Sequence, residues 1–555
     1  MPPSFLSMIA ARDQARRLLW PWGGLLFVLA AAGCDSTPGP AGSGKTGNAQ
    51  AVGSPAAEDA RCDDMLRSVA DTFQLGGLAA RSDLDFGVSM INQWQQFCGK
   101  SLPAIDTGLP ASAEKQLTSV QAAIINEARF VRRDGEHLRR CVLFKGVNAW
   151  AQGRGDNELT RVDHLFQALV RAVDLVASQP AHLPLDPYQV LLLGKGTVRD
   201  RAWIFSGLLR QMKIDSALLF RPDTPGEVMD SAEAPTPMLV AVFLEGQAYL
   251  FDPALGLAVP SLAAKGAVRP ATLAEAAEDP AVFRQFDLDA NSPYAWSAAD
   301  LRRLRVAVVG GAEYWSPRML RLQPQFTGDR SLVIADGLGD SAGQPGLWSR
   351  IVRAGGKYWA DDALTLWNYP DAALSARDAL SASQQQEMQR IRITWDAPLK
   401  LSVDPAGQIS AAKGEGDHLK TRLAHVSGEF ASAIMGYSAL RLACRLPRQL
   451  IVPNYIQVMY GQTDDNAAFW TGSAQLDQGA FAVAADTFQK YLKAHPQGAW
   501  VNAAHYQRAL CLAALNQQAE AAAALDDVPS DAPQYAGCQL LIRRWRNLPR
   551  AHGSK

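Results

Sequence analysis

Between Gly196 and Phe251 the hydrophobic pattern changes period, and few folds accommodate that change. Gly196-Thr197-Val198-Arg199-Asp200-Arg201-Ala202 opens a helix. Ala202, Phe205, Leu208, Leu209 and Met212 give it one apolar face at the three-and-four spacing of a helix. Ile214 to Phe220 then reads as a strand. Met238 to Leu244 is apolar and β-prone, Glu245-Gly246 suits a tight turn, and Gln247 to Phe251 returns as a second strand ending in Asp252-Pro253. A helix followed by antiparallel strands predicts an α+β fold with the helix packed on the sheet. The rest of the chain is mostly helical in pattern. Val162, Phe166, Leu169, Ala172 and Val173 share a helix face. Leu419, Leu423, Val426, Phe430, Ile434 and Tyr437 predict one long helix, with His425 off the stripe and solvated. Ile391, Ile393 and Trp395 alternate as in a strand, followed by Leu399, Leu401 and Val403 and a turn at Asp404-Pro-Ala-Gly407. With 555 residues, 48% of them hydrophobic and 20% charged, the composition is that of an ordinary globular protein. The near-neutral charge balance argues against an electrostatic nucleic-acid binder, which clusters positive charge.

The segment from Gly196 to Gly256 resembles the transglutaminase-like branch of the papain-like superfamily. That family begins its central helix with Gly-x-Cys-x-Asp-x-Ala, follows with an isoleucine-led strand and a His-containing strand, and ends a further strand in Asp-Pro. The resemblance implies a thiolate, an activating histidine and an orienting carboxylate. Position by position, the nucleophile falls on Val198, the histidine falls near Pro237, and Asp252 alone keeps the family's residue type. Valine cannot ionise, and an aspartate without its imidazole has nothing to orient. The resemblance therefore implies a non-catalytic transglutaminase-like core. The alternative is an acyl-transfer or peptidase enzyme with a displaced nucleophile. Thr197 lacks an evident base, Cys141 and His164 lie outside the motif, and His182 sits in a Pro-rich loop.

Near the C-terminus, Gly472, Gly479, Phe481, Ala484, Phe488, Leu492 and Pro496 resemble a tetratricopeptide repeat, a helix–turn–helix of about 34 residues. Ala509, Asn516, Ala521, Leu525 and Pro533 make a weaker second unit, with Asn516 in place of the turn glycine. Two units are fewer than the ~3 that stand alone, so docking on helices around 417–444 is expected. The resemblance implies a concave surface for protein or peptide partners; the alternative is a helical cap used only for packing.

At the other end, Arg12, Arg16 and Arg17 precede an apolar run closing in Ala31-Ala32-Gly33-Cys34. This resembles the lipobox of bacterial lipoproteins. It implies cleavage before Cys34, lipidation of that thiol, and an extracytoplasmic, periplasm-facing chain anchored in the membrane. An ordinary signal peptide or single anchor helix is the alternative. A Gly/Ser/Pro/Ala-rich tether follows. Gly39-Pro-Ala-Gly-Ser-Gly-Lys45-Thr46 satisfies a P-loop expression but has no strand before it, so no nucleotide is expected.

Of seven cysteines, six remain after Cys34, with 15 possible pairings. Cys62, Leu66, Val69 and Phe73 fit one helix face, and Val88, Ile91, Trp94 and Cys98 another, with Gly76-Gly77 between. An antiparallel hairpin brings Cys62 close to Cys98, and such a bridge is worth ~3–4 kcal/mol. Cys511–Cys538 is a further expected pair, leaving Cys141–Cys444. No spacing suggests a metal or another cofactor. The expected organisation is a signal peptide over 1–33, a tether over 34–58 and a helical region over 59–150. A transglutaminase-like domain over 151–345, a mixed connecting region over 346–460 and repeats over 461–548 follow. Together these predict a membrane-anchored interaction or scaffold protein.

Overall fold

The computed structural model describes residues 55–74, 84–99, 108–176, 183–224, 237–262, 269–341, 343–405, 409–445 and 452–547. Cys34, the tether and Gly39–Thr46 lie outside them, as does His182. The fold is α+β. A helical hairpin of α1 (Pro55–Thr72) and α2 (Leu84–Phe97) leads to α3 (Arg132–Ala151) and α4 (Glu158–Ala172). Cys62 and Cys98 form a disulfide across the hairpin, with Cα atoms 5.8 Å apart. Leu66, Val69, Phe73, Val88, Ile91 and Trp94 are buried together beneath it.

The expected helix is α5 (Val198–Gln211), opened by a capping box. Thr197 accepts from the Asp200 N–H, and the Asp200 carboxylate accepts from the Thr197 N–H and hydroxyl. Six strands follow: β1 (Ser216–Phe220), β2 (Met238–Leu244), β3 (Gln247–Asp252), β4 (Leu257–Ala258), β5 (Arg305–Val308) and β6 (Leu364–Leu366). The sheet order is β4-β3-β2-β1-β5-β6, antiparallel except for the parallel β5–β6 pair. Because β6 lies beyond residue 345, the sheet crosses the expected domain boundary. Glu245 and Gly246, both at positive φ, make the β2–β3 turn, with Leu244 paired to Gln247.

Both sheet faces are buried, which is why β1 and β2 read as unbroken apolar runs. Leu218, Val240, Val242 and Phe251 face α5. Leu219, Leu239, Ala241 and Leu250 face Phe283, Trp296, Trp315 and Trp348.

The C-terminal half is a helical array. It comprises α6 (Ala382–Trp395), α7 (Asp417–Val426), α8 (Phe430–Ala443), α9 (Asn454–Asp477), α10 (Phe481–Ala494), α11 (Val501–Ala514), α12 (Gln518–Asp526) and α13 (Tyr535–Arg546). Two expectations are corrected here. Ile391, Ile393 and Trp395 lie on a helix, α6, whose Ser381–Gln384 capping box outweighs a short alternation. Leu399–Val403 does belong to a strand, within the hairpin Lys400–Val403 with Ile409–Ala412. The long helix through His425 is two helices, broken where Gly428 takes φ +87°. That break resets the helical phase and buries His425. Asn516, at φ +60°, supports the second repeat's turn as expected.

Candidate functional site

The nucleophile position of the expected family pattern lies at the N-terminus of α5. Val198 occupies its first position, half-buried. The site around it is closed by aromatics: the Tyr369 hydroxyl donates to Asp200 at 3.0 Å, Trp203 meets Tyr369 edge-on, and Trp367 stacks on Tyr369. Pro237 is exposed at the start of β2. Asp252 is buried at the end of β3, but it faces away from α5. Tyr249 and Phe251 pack toward α5 and Leu250 toward the other face; Asp252 follows Leu250 in the alternation. Its Oδ1 accepts the N–H groups of Ala254 and Leu255 at 2.7 and 2.8 Å, and its Oδ2 accepts the Tyr294 hydroxyl at 2.5 Å. Burial raises its pKa above the usual carboxylate value against those hydrogen bonds. Val198, Pro237 and Asp252 therefore do not form a triad. Asp252 instead ends a strand and orders the turn after it.

The four free thiols among the described residues are buried. Cys141, Cys444, Cys511 and Cys538 are buried and unpaired, which corrects the expected Cys511–Cys538 and Cys141–Cys444 bridges. Cys141 belongs to the core under the N-terminal hairpin and Cys444 to a small cluster beside α9, so they cannot meet. Cys511 and Cys538 share one core but sit on α11 and α13. The sequence did not reveal that His137 lies one turn before Cys141, with Nε2 3.7 Å from Sγ. That pair is locked: His137 Nε2 contacts the Ile334 carbonyl at 2.7 Å, and Nδ1 faces Arg140. Burial pushes the thiol up to about 12 and, with Arg140, the imidazole down to about 4. His164 contacts the Gln152 carbonyl instead. Among the described residues no group of side chains could hold a metal ion, and no helix is long and apolar enough to cross a membrane.

The repeat helices provide the recognisable module. Gly472 packs against Phe488: a Cβ there would lie 2.7 Å from the ring. The array continues backward into α8, whose Ala433, Tyr437 and Leu440 join the same core. The tetratricopeptide repeat family model matches residues 466–498 and 503–535. These repeats make the C-terminal part of the chain a protein-interaction module. Comparison with curated proteins gives no match, and comparison with solved structures gives none.

The inner helices of the array, α9, α11 and α13, are docked on the sheet domain. Arg171 at the end of α4 binds Asp477 through two nitrogens, at 3.0 and 3.1 Å. Asp477 also meets His425 Nε2 at 3.4 Å. Gln507 donates to the Arg171 carbonyl at 3.0 Å and Gln534 to Asp174 at 3.3 Å. Arg543 reaches the carbonyls of Gln285 and Asp287. The expected concave surface is therefore largely covered by the chain itself.

Among the described residues, a cleft of about 500 Å³ lies where sheet domain and array meet. Its wall is Leu185, Leu193, Ile391, Trp395, Trp470 and Trp500, and its polar groups include Lys195, Glu387, Arg390, Gln462, Asp465 and Asn466. Lys195 lies three residues before Val198, the first residue of α5. Its ammonium donates to the Ala499 carbonyl at 2.9 Å and lies 4.6 Å from the Trp500 ring. Burial lowers its pKa. Trp500 is held by Asn466 at 2.8 Å and stacks on Phe469 at 4.7 Å. Asp465 accepts the Tyr491 hydroxyl and the Ala499 N–H. The cleft is apolar in its wall and balanced in charge. It draws on four separated stretches of chain, so no single periodicity points to it.

Proposed function

We propose that this chain is a membrane-anchored, extracytoplasmic scaffold lipoprotein. In this reading Cys34 carries the lipid, and a transglutaminase-like core without its chemistry serves as a rigid platform. The repeat array docks on that platform, and a protein partner is gripped at their junction. One observation carries the reading: Lys195 of the core and Trp470 and Trp500 of the repeats line the same cleft, so the two modules build one recognition surface.

Three measurements test it. Envelope partners captured by the mature chain should be lost on making the exposed rim acidic with Arg390→Glu and Gln462→Glu. Unchanged capture would place the partner elsewhere and remove the cleft from the reading. Metabolic labelling with an alkyne fatty acid should mark the wild type but not Cys34→Ser; absence of label on the wild type would refute the anchor. Val198→Cys should gain no amidase or cross-linking activity, because His137 is held by the Ile334 carbonyl and His164 by the Gln152 carbonyl; turnover by that variant would show a core that lost only its nucleophile.

A further inference from the structure

Another cavity, of about 570 Å³, opens at the far end of α5 from the junction cleft. The helix, about 20 Å long, separates the two. Its charged wall begins with a triad. Arg350, on the helix Leu347–Gly355, binds Asp215 at 2.7 and 3.0 Å and Asp336 at 2.5 Å. Both carboxylates lining the cavity are thereby committed to one guanidinium.

The groups left over are donors. Tyr314 is only 3% exposed and lines the cavity, yet its hydroxyl has no hydrogen-bond partner among the described residues. A buried hydroxyl without a partner is costly, so this one calls for a group inside the cavity. Burial, with Asp336 and Asp215, raises its pKa against the pull of Arg210, so the phenol keeps its proton. Arg210 stands over the Tyr314 ring at 4.2 Å and gives one nitrogen to the Val309 carbonyl. A guanidinium has five N–H donors, so others remain. Gln323 accepts the Ile334 and Ala335 N–H groups on Oε1 at 2.6 and 2.9 Å, which fixes its amide and leaves Nε2 to donate.

Lys213 completes the set. It is exposed on the rim, with no ion pair among the described residues. It follows α5 in the left-handed conformation, at φ +59°, its N–H on the Arg210 carbonyl and the Ile214 N–H on the Leu209 carbonyl. Glycine is the usual residue at such a helix end. A lysine held there against its steric preference, beside a cavity, is the kind of local strain that collects at functional positions.

Charge decides what the donors are for. Arg350 offsets one of the two carboxylates, and Arg210 and Lys213 outweigh the other, so the cavity is net positive. Its volume suits an organic molecule rather than a bare ion. We infer that this cavity binds a small anionic solute, whose carboxylate or phosphate oxygens accept from the Tyr314 hydroxyl, Arg210, Lys213 and Gln323 Nε2. The inference is independent of the junction cleft.

Isothermal titration calorimetry of the full chain at low salt tests it, with glycerol phosphate and citrate as probes. The tighter of the two identifies phosphate or carboxylate as the preferred group, and glycerol should give no heat of binding. Tyr314→Phe keeps the ring under Arg210 and removes only the hydroxyl; it should weaken binding about tenfold. Lys213→Gly removes the cation and relieves the left-handed backbone, so it should fold at least as well as the wild type and bind about threefold more weakly. On binding, hydrogen exchange should slow over residues 333–350 and stay unchanged over 454–477. Absence of binding by both probes, undiminished affinity in Tyr314→Phe, glycerol binding as tightly as its phosphate ester, or protection confined to 454–477 would each overturn the proposal.

Discussion

Gly194 is where the docking of the array on the core can be weighed by one methyl group. It caps the helix Pro187–Leu193 at φ +68°, its N–H bonded to the Val190 carbonyl at 2.8 Å. A Cβ there would lie 3.1 Å from the Trp500 ring, 3.4 Å from the Ala172 carbonyl and 3.5 Å from the Arg422 guanidinium. In Gly194→Ala the left-handed backbone costs about 1–2 kcal/mol. Lower freedom of the unfolded chain returns about 0.4–1 kcal/mol. Trp500 must move a few tenths of an ångström, against Phe469 on its other face and the Asn466 bond, which adds about 1 kcal/mol. The net is a loss of about 1–2.5 kcal/mol, concentrated at the junction. Gly461 supplies the control. It lies inside α9 with nothing within 4 Å of a Cβ, so Gly461→Ala should stabilise by up to about 1 kcal/mol. Hydrogen exchange on segments 454–477 and 501–514 reads both changes locally. Gly194→Ala should speed exchange in both segments and shift tryptophan emission, while Gly461→Ala should slow exchange in the first. Changes of the same sign, or wild-type protection in Gly194→Ala, would refute the described contact between Gly194 and Trp500.

Arg171→Ala leaves Asp477 beside His425, which burial holds neutral with its pKa down to about 4, and removing one partner of a largely buried pair costs about 3 kcal/mol; loosening of the repeats from the core should appear as faster proteolysis between residues 445 and 547. Burial holds His418 neutral, its pKa down to about 4 from 6.5. Above pH 6.5 neither folded nor unfolded chain carries this proton, and below it the unfolded chain binds it first, so stability falls as pH drops toward 4. In urea titrations at several pH values, His418→Phe should make that acid limb shallower by up to about 1.4 kcal/mol per pH unit; an unchanged slope would contradict a buried neutral ring. Native protein should resist iodoacetamide at neutral pH and label at Cys141, Cys444, Cys511 and Cys538 only when unfolded, since burial raises all four thiols to about 12.

Local signals were legible where one element carries its own pattern. The face of α5, the Glu245-Gly246 turn, the hairpin joining Cys62 to Cys98 and the left-handed Asn516 all follow from spacing and residue type within short windows. The misread elements share a cause. The alternation of Ile391, Ile393 and Trp395 covers five residues, and a capping box ten residues upstream outweighs it. His425, expected off the stripe and solvated, is buried, because the single helix that the stripe assumed is broken at Gly428. The cysteine pairings beyond the first failed because parity in a count says nothing about which core a helix joins.

The candidate site was not legible, for a deeper reason. Asp477, Gln507, Gln534 and Arg543 are polar residues on the inner side of a repeat, and in sequence they look like groups awaiting a ligand. Their partners, the Arg171 side chain and carbonyl, Asp174, and the carbonyls of Gln285 and Asp287, lie between 256 and 360 positions away. Three of these partners are backbone oxygens, which carry no residue identity at all. A polar face satisfied within the chain and one that binds another protein therefore have the same sequence signature, and only the tertiary arrangement separates them.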